Sequence, residues 1–353
     1  WEPNRYAFDY DQQEEIYAEV VRLCNRALEY LNMEEPVNTL VKGDLVFKGD
    51  REKWKKFVYS ILARNAHHIS NKASYDEDAV IAFVDQAMSS NVDNFLVPHQ
   101  GGLANADGGN NNFLGPTRAN YGSFRQALYS INLVSGNVDL VNGTATPSGV
   151  VDPRRALMFQ PSTDGVYRGG ANGSAIGTTG TTGIPTLYGK YIYRDNADFP
   201  LMTYWEMQFM KAEAAFRKAD AATAFTAYRN GITAHMDYVG VTAANRDAYL
   251  ASAAVSQNSG ALTLSAIMLQ KYIAMHGHGV LETWVDMRRY YYDPAVYTGF
   301  SVPSPLFATN NGRLAYRARP RFNSEYVWNV NALKAIGALA LDYNTVEPWF
   351  LLP

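Results

Sequence analysis

The chain has 353 residues, 47% hydrophobic and 18% charged, enough apolar material for one large core or two small ones. A net charge of −3 without long Lys/Arg runs excludes the electrostatic footprint of a nucleic-acid binder, and 13% aromatic residues argue against disorder of the whole. No stretch reaches the ~18 uninterrupted apolar residues that a membrane-spanning helix requires.

The N-terminus, Trp1-Glu2-Pro3, lacks an initiator Met, a signal-like leader and a lipid-acceptor Cys, so the chain reads as a mature or truncated piece. Asp11–Leu31 carries Ile16, Val20, Leu23, Ala27, Leu28 and Leu31 at helical spacing. Cys24, the only cysteine, falls in that stripe and reads as a buried structural thiol; being alone it forms no intramolecular disulfide. A second helix is expected from Arg51 to about Ser70, with Asp50 as N-cap and Trp54, Phe57, Val58, Ile61, Leu62 and Ile69 on one face. Ser74-Tyr75-Asp76-Glu77 reads as a capping box before a third helix bearing Val80, Phe83, Val84, Ala87 and Met88.

The texture changes at His99–Gly122, which holds Gly101, Gly102, Gly108 and Gly109 among its glycines, the Asn110–Asn112 run and Pro116; loops of this length are functional or disordered. A short helix is expected at Ser123–Val134. A second irregular stretch, Gly136–Asp198, is interrupted by expected short strands near Ala156–Gln160 and Leu187–Tyr193. Helices return at Leu201–Arg217 and Ala221–Met236, an antiparallel pair turning at Lys218–Asp220, then at Leu264–Met275, around Leu281–Tyr291, and from Ser324 to about Ala340. In the pair, Ala212, Ala215 and Phe216 face Ala224 and Tyr228 with tetratricopeptide-like (TPR-like) spacing, although three repeats at a fixed period are not found. The fold class is therefore mainly α: TPR-like helix pairs forming a helical scaffold at about 1–95 and 199–353, long irregular loops, and minor β content. The chain reads as one domain, its loop-rich excursion at about 96–198 the ligand-binding part.

Common catalytic devices have no support: G-x-x-x-x-G-K-[ST], G-x-S-x-G and H-E-x-x-H are all absent, and the Gly-rich 169–189 stretch is not a dinucleotide fingerprint. No cofactor or metal is expected. His67 and His68 are adjacent on a helix and diverge by about 100°. His276 and His278 lack a third ligand nearby, and a helix C-terminus suits an imidazolium. Asp107–Asn112 offers oxygen ligands without EF-hand spacing, which leaves a calcium site open. Glycoside hydrolysis needs two carboxylates in a cleft. Glu206 with Glu213, and Glu282 with Asp286, lie on helices beside core positions, so ion pairs with Lys211, Arg217, Arg288 or Arg289 are the expected use.

Sugar recognition fits the loops better. Aromatic faces stack on sugar C–H surfaces while planar Asn, Asp and Arg groups pair hydroxyls. The candidates are Asn110, Asn112, Phe113, Arg118 and Tyr121 in the first stretch, and Tyr167, Tyr188 and Tyr191 in the second. The competing reading is that most of these tyrosines only anchor loops to helices. Trp54, Trp205, Trp284 and Trp328 fall at helical core spacing and are expected to be buried.

Several blocks in order resemble the SusD/RagB family. They are Lys42-Gly43-Asp44-Leu45-Val46-Phe47-Lys48-Gly49-Asp50 with Trp54, Phe57 and Arg64; Asp152-Pro153-Arg154; and Pro200-Leu201-Met202-Thr203-Tyr204-Trp205-Glu206 through Ala212-Glu213-Ala214. Gln270-Lys271-Tyr272-Ile273-Ala274, Trp284 and Asp286-Met287-Arg288-Arg289 follow, then Pro320-Arg321-Phe322, Ser324-Glu325-Tyr326, Asn329 and Pro348-Trp349. In the family the D-P-R step precedes a strand. The resemblance implies a SusD-like fold and a non-catalytic, surface-exposed lipoprotein of the cell outer membrane that delivers oligosaccharide to a TonB-dependent SusC-like transporter. It also implies an N-terminal lipid anchor and a further N-terminal region absent from this chain. The family's binding residues have no motif, so none transfers by position. A TPR-like protein-interaction scaffold is the second reading and a glycoside hydrolase the third. Asp286, Arg288, Arg289 and the Arg317, Arg319, Arg321 series are expected to form bidentate pairs tying helices to loops.

Overall fold

A computed structural model describes residues 7–34, 40–102, 110–174 and 183–353. Helix α1 (Gln13–Asn32) opens where the Glu15 side chain accepts the Gln12 N–H at 3.3 Å. Its Val20, Cys24, Ala27, Leu28 and Leu31 pack on Val58 and Leu62 of α2 (Arg51–His68). Cys24 is buried there, and burial pushes its thiol pKa up, as befits a structural role.

The turn before α2 is organised by Asp44. Its carboxylate accepts the N–H groups of Val46, Phe47 and Gly49, each at 2.9 Å, and the Trp54 indole N–H at 2.8 Å. Burial pushes this acid up, but those donors outweigh it and hold it below the ordinary carboxylate range. Gly49 closes the turn at φ 82°, and Asp50 then caps α2 through the N–H groups of Glu52 and Lys53. Helix α3 (Glu77–Gln86) is capped by Asp76, which accepts the Ala79 N–H at 3.0 Å. The expected box from Ser74 is thus displaced, because Asp76 is the better acceptor nearer the helix.

Two strands lie elsewhere than expected. β1 (Phe95–Val97) runs antiparallel to β2 (Phe199–Met202), with Leu96 opposite Pro200 and Val97 opposite Phe199. Residues 98–198 therefore leave and re-enter the scaffold at one place. The segment expected as a strand near Ala156–Gln160 is instead helix α5 (Arg155–Met158), and Leu187–Tyr193 is a run of turns. The preceding helix α4 (Leu128–Val134) starts later than expected, since Arg125 and Ala127 bridge to Thr186 and Gly170.

Helix α6 (Tyr204–Arg217) begins at Thr203, whose hydroxyl accepts the Glu206 N–H; residues from Leu201 belong to β2 instead. It is buried on nearly every side, through Trp205, Met207, Phe209, Met210, Ala212, Ala214 and Ala215. Helix α7 (Ala221–Val239) lies against it, with Ala224, Ala227 and Tyr228 buried between them. Gly231 permits the close approach: a Cβ there would stand 2.9 Å from the Phe209 ring. The TPR-like pair is formed as its spacing implied. Helix α8 (Ala243–Leu250), capped by Thr242, escaped the periodicity analysis because it is short. Helix α9 (Leu264–Ala274) is buried all round, and α10 (Val280–Arg289) follows.

The helix expected from Ser324 breaks into α11 (Glu325–Trp328) and α12 (Val330–Ala335). With no continuous facing helix, its spacing carries no burial. Trp328 is 78% exposed, contrary to expectation, whereas Trp205 is fully buried and Trp54 and Trp284 are half-buried. Arg317 and Arg319 do tie loops together, but through backbone carbonyls rather than carboxylate forks: Arg317 donates to Val346 and Glu347, Arg319 to Ala338 and Ala340. The main core joins α4, α6, α7 and α9 to the loop residues Leu114, Tyr191, Ile192 and Tyr193. Among the described residues no helix is long and apolar enough to cross a membrane.

Candidate functional site

The two irregular stretches are locked together by one amide. Asn112 Nδ2 donates to the carbonyls of Ile192 at 2.8 Å and Ala197 at 2.9 Å, while its Oδ1 accepts the Leu114 N–H at 3.0 Å. Asn112 is fully buried, so its expected contact with ligand is corrected to a structural one: all its amide groups are spent inside the protein. Asp195 adds to the lock by accepting the Thr117 N–H and hydroxyl at 3.0 and 2.8 Å. Asn110 donates its amide to Gly101 at 3.0 Å and stays half-exposed. Asp107–Gly109 lie outside the described residues; among those described, no cluster of three or more His, Cys, Asp or Glu side chains could hold a metal.

Above this lock three rings form a surface. Phe113 and Tyr121 meet edge-on at 6.2 Å between ring centroids, and Tyr121 lies 5.0 Å from Phe124. Phe113 and Phe124 are each 54% exposed, a large fraction for phenylalanines that have a core available. Tyr188 supports the platform from beneath, its hydroxyl accepting the Tyr121 N–H at 2.7 Å. Buried Tyr193 packs against Tyr121 at 6.2 Å. Arg118 is half-exposed on the same loop. Phe124 falls inside the stretch expected to be helical, Ser123–Val134, but precedes the helix that forms, which begins at Leu128. The usable signal was an aromatic three residues after Tyr121 in a Gly-Ser setting.

Two tyrosines of the second stretch are placed differently. Tyr191 is buried, and its hydroxyl pairs with His235 Nε2 at 3.2 Å, so its expected role as an exposed stacking face is corrected. Tyr167 is half-buried with the Arg155 guanidinium 4.4 Å above its ring.

The recognisable sequence blocks are ties in the scaffold. Arg154 donates to both Asp152 oxygens, to Gln270 Oε1 at 2.6 Å and towards His235 Nδ1 at 3.1 Å. That joins the excursion to α7 and α9, and the D-P-R step precedes α5 rather than a strand. Arg289 donates to both Glu213 oxygens at 2.7 and 3.0 Å and to Asp286 at 2.7 Å, as the sequence implied. Burial disfavours the Glu213 carboxylate, but Arg289 and His67 outweigh it and hold the group well below the usual range. Glu206 pairs with Arg64, which sequence reasoning passed over, and Glu282 with Arg64 and His68. Lys211 and Arg217 instead engage Asp85 and the Ser70 carbonyl. Every carboxylate offered as half of a hydrolytic pair is thus consumed by a structural cation.

His276 and His278 lie beneath Tyr193 and Tyr191, and burial pushes them down to about 4 and about 3. They are neutral, not the imidazolium expected at a helix end: the packed segment 191–193 removes the water a cation needs. Gly277 fits there at φ 84°, where a Cβ would come 2.7 Å from the Tyr193 hydroxyl.

A family model described as starch-binding and associating with the outer membrane, SusD-like, matches residues 2–318. The chain belongs to the SusD-like family. Solved structures agree in fold. A SusD homolog from Parabacteroides distasonis has 25% identity and a TM-score of 0.70, with 98% of this chain and 75% of that chain covered. A chitin-binding SusD homolog from Flavobacterium johnsoniae has 20% identity and a TM-score of 0.73, covering 100% and 75%. A SusD/RagB family protein from Bacteroides thetaiotaomicron has 22% identity and a TM-score of 0.62, covering 97% and 73%. No curated protein sequence matches. The SusD-like fold thus combines the helical scaffold with a loop excursion locked at Asn112.

Proposed function

We propose that this SusD-like chain is a non-catalytic glycan-binding protein that delivers oligosaccharide to a TonB-dependent SusC-like transporter. The observation that carries this is the Phe113–Tyr121–Phe124 platform, whose outer rings face solvent on loops held rigid from below. Rigid exposed aromatics bind sugar C–H faces with little ordering cost. The family description as starch-binding supports the ligand class, and the pairing of Glu206, Glu213, Glu282 and Asp286 with cations favours binding over turnover. We place the protein on the outer-membrane surface as a lipoprotein, in keeping with the outer-membrane association in the same description.

The test is binding to a polysaccharide and oligosaccharide panel by retardation gel and calorimetry, with reaction products examined in parallel. Phe124→Ala and Phe113→Ala are each expected to weaken the bound glycan about tenfold, ~1.4 kcal/mol, at an unchanged melting temperature. Unaltered affinity in both variants would remove the platform from the site, and appearance of cleaved product would replace binding with catalysis. Transporter and anchor are checked separately, by co-purification from outer membranes and by protease access on whole cells.

A scaffold for protein contact has one observation in its favour: Trp328, Phe322 and Leu341 are highly exposed. A partner retained by the wild type and lost in Trp328→Ala, without any glycan affinity, would support that reading instead.

A further inference from the structure

A second feature lies on the same excursion. Between the segment 189–198 and the C-terminal turn of α7 is a cleft of about 430 Å³, within the size range of small-ligand sites. One wall is Tyr238, whose ring packs on Trp205 at 4.6 Å between centroids and is thereby held in place. Around it stand Lys190, Arg194, Asn196 and Asp198. Arg194 Nε donates to the Tyr191 carbonyl at 2.9 Å, which orients the guanidinium. Its two Nη groups, and the Lys190 ammonium, have no hydrogen-bond or ion-pair partner among the described residues. Asp198 accepts the His99 N–H at 3.3 Å and pairs with neither cation.

We infer that this cleft is a second saccharide site, selective for a sugar ring that carries a carboxylate. An oriented guanidinium presents a planar fork matched to a carboxylate, and the nearby ammonium adds point charge. Asn196 and Asp198 supply acceptors and donors for ring hydroxyls, and Tyr238 supplies the stacking face. Asp198 and the negative end of α7 oppose an anion, but two unpaired cations outweigh one carboxylate and a partial charge. From the preceding section the inference takes only that the ligand is a saccharide; the platform and the cleft use different side chains.

The experiment is calorimetry of the whole chain at low and at physiological salt, with a galacturonic acid oligosaccharide and a neutral galactose oligosaccharide of equal length. The acidic ligand is expected to bind at least tenfold tighter, to weaken with salt, and to lose about tenfold in Lys190→Ala and in Arg194→Gln. Phe124→Ala is expected to leave it unchanged. Equal affinity for the two ligands, or no loss in Lys190→Ala when Arg194→Gln is equally unaffected, overturns the cleft. Lys190→Ala guards against misfolding, since that side chain holds nothing in place. Neutral glycan binding lost in Phe124→Ala with no acidic preference would sink the cleft and keep the platform; the converse pattern would keep the cleft and sink the platform.

Discussion

At the scale of single residues, chemistry divides between side chains that tie and side chains that face water. Arg289 is the clearest tie: fully buried, it neutralises Glu213 and Asp286 at once. Arg289→Ala leaves buried carboxylates without their cation and should cost about 3–5 kcal/mol, seen as a large drop in melting temperature. Arg288 is also buried, but it stacks on Trp284 at 3.8 Å and donates to the Tyr316 carbonyl rather than neutralising a carboxylate, so Arg288→Ala should cost less, about 1–2 kcal/mol. In both variants glycan affinity per folded molecule should hold; an unchanged melting temperature with lost binding would refute the assignment. The Arg289–Asp286 pair was legible in sequence because the two lie three apart on one helix; Arg288, expected in a similar pair, engages Trp284 and a carbonyl instead, and Glu213 reaches Arg289 from 76 positions away. Asn112 and Tyr191 were not: the same residue types serve a sugar or a buried carbonyl, and only neighbours distant in sequence decide between the two.

At the scale of elements, two junctions govern the excursion. The α6–α7 contact depends on Gly231, and Gly231→Val should force the helices apart against Phe209, costing about 1–3 kcal/mol by chemical denaturation. The second junction is the seat of the segment 191–193 on His235, His276 and His278. Burial depresses all three histidines, so they stay neutral when folded but take up protons once unfolded. Their contribution is therefore complete above the unfolded pKa of ~6.5 and is lost as pH falls below it. Melting temperature should fall steadily from pH 7 towards pH 4.5, with a slope of up to about 1.4 kcal/mol per pH unit for each histidine. A flat profile over that interval would mean the cluster is hydrated. Periodicity identified the long helices here, and α2, α6, α7 and α9 bury the expected residues, whereas α1 buries only Cys24 and leaves Ile16 and Leu23 of its stripe exposed. It missed the eight-residue α8, and both strands, since their three and four residues carry too little pattern and the pairing partner of each lies about a hundred positions away.

At the scale of the whole molecule, the excursion and the scaffold share a core. Leu114, Ile192 and Tyr193 are buried with α7 and α9 residues, and Arg154 crosses between them. The protein should therefore unfold in one transition, with near-ultraviolet and far-ultraviolet circular dichroism superimposing. A separate early loss of the near-ultraviolet signal would mean that the loops melt independently. The helical class, the TPR-like pair, the cap at Asp50 and the ordered blocks of the SusD-like family were legible from the chain alone, because they show in residues close together in it. Which loop aromatics are available depends on packing between distant segments. Phe113 and Phe124 stay in solvent because Asn112, Asp195 and Tyr188 fasten the loop beneath them, whereas Tyr191 is drawn into the core by His235. Exposure is a property of what else occupies the same space, and no local run of residues encodes it.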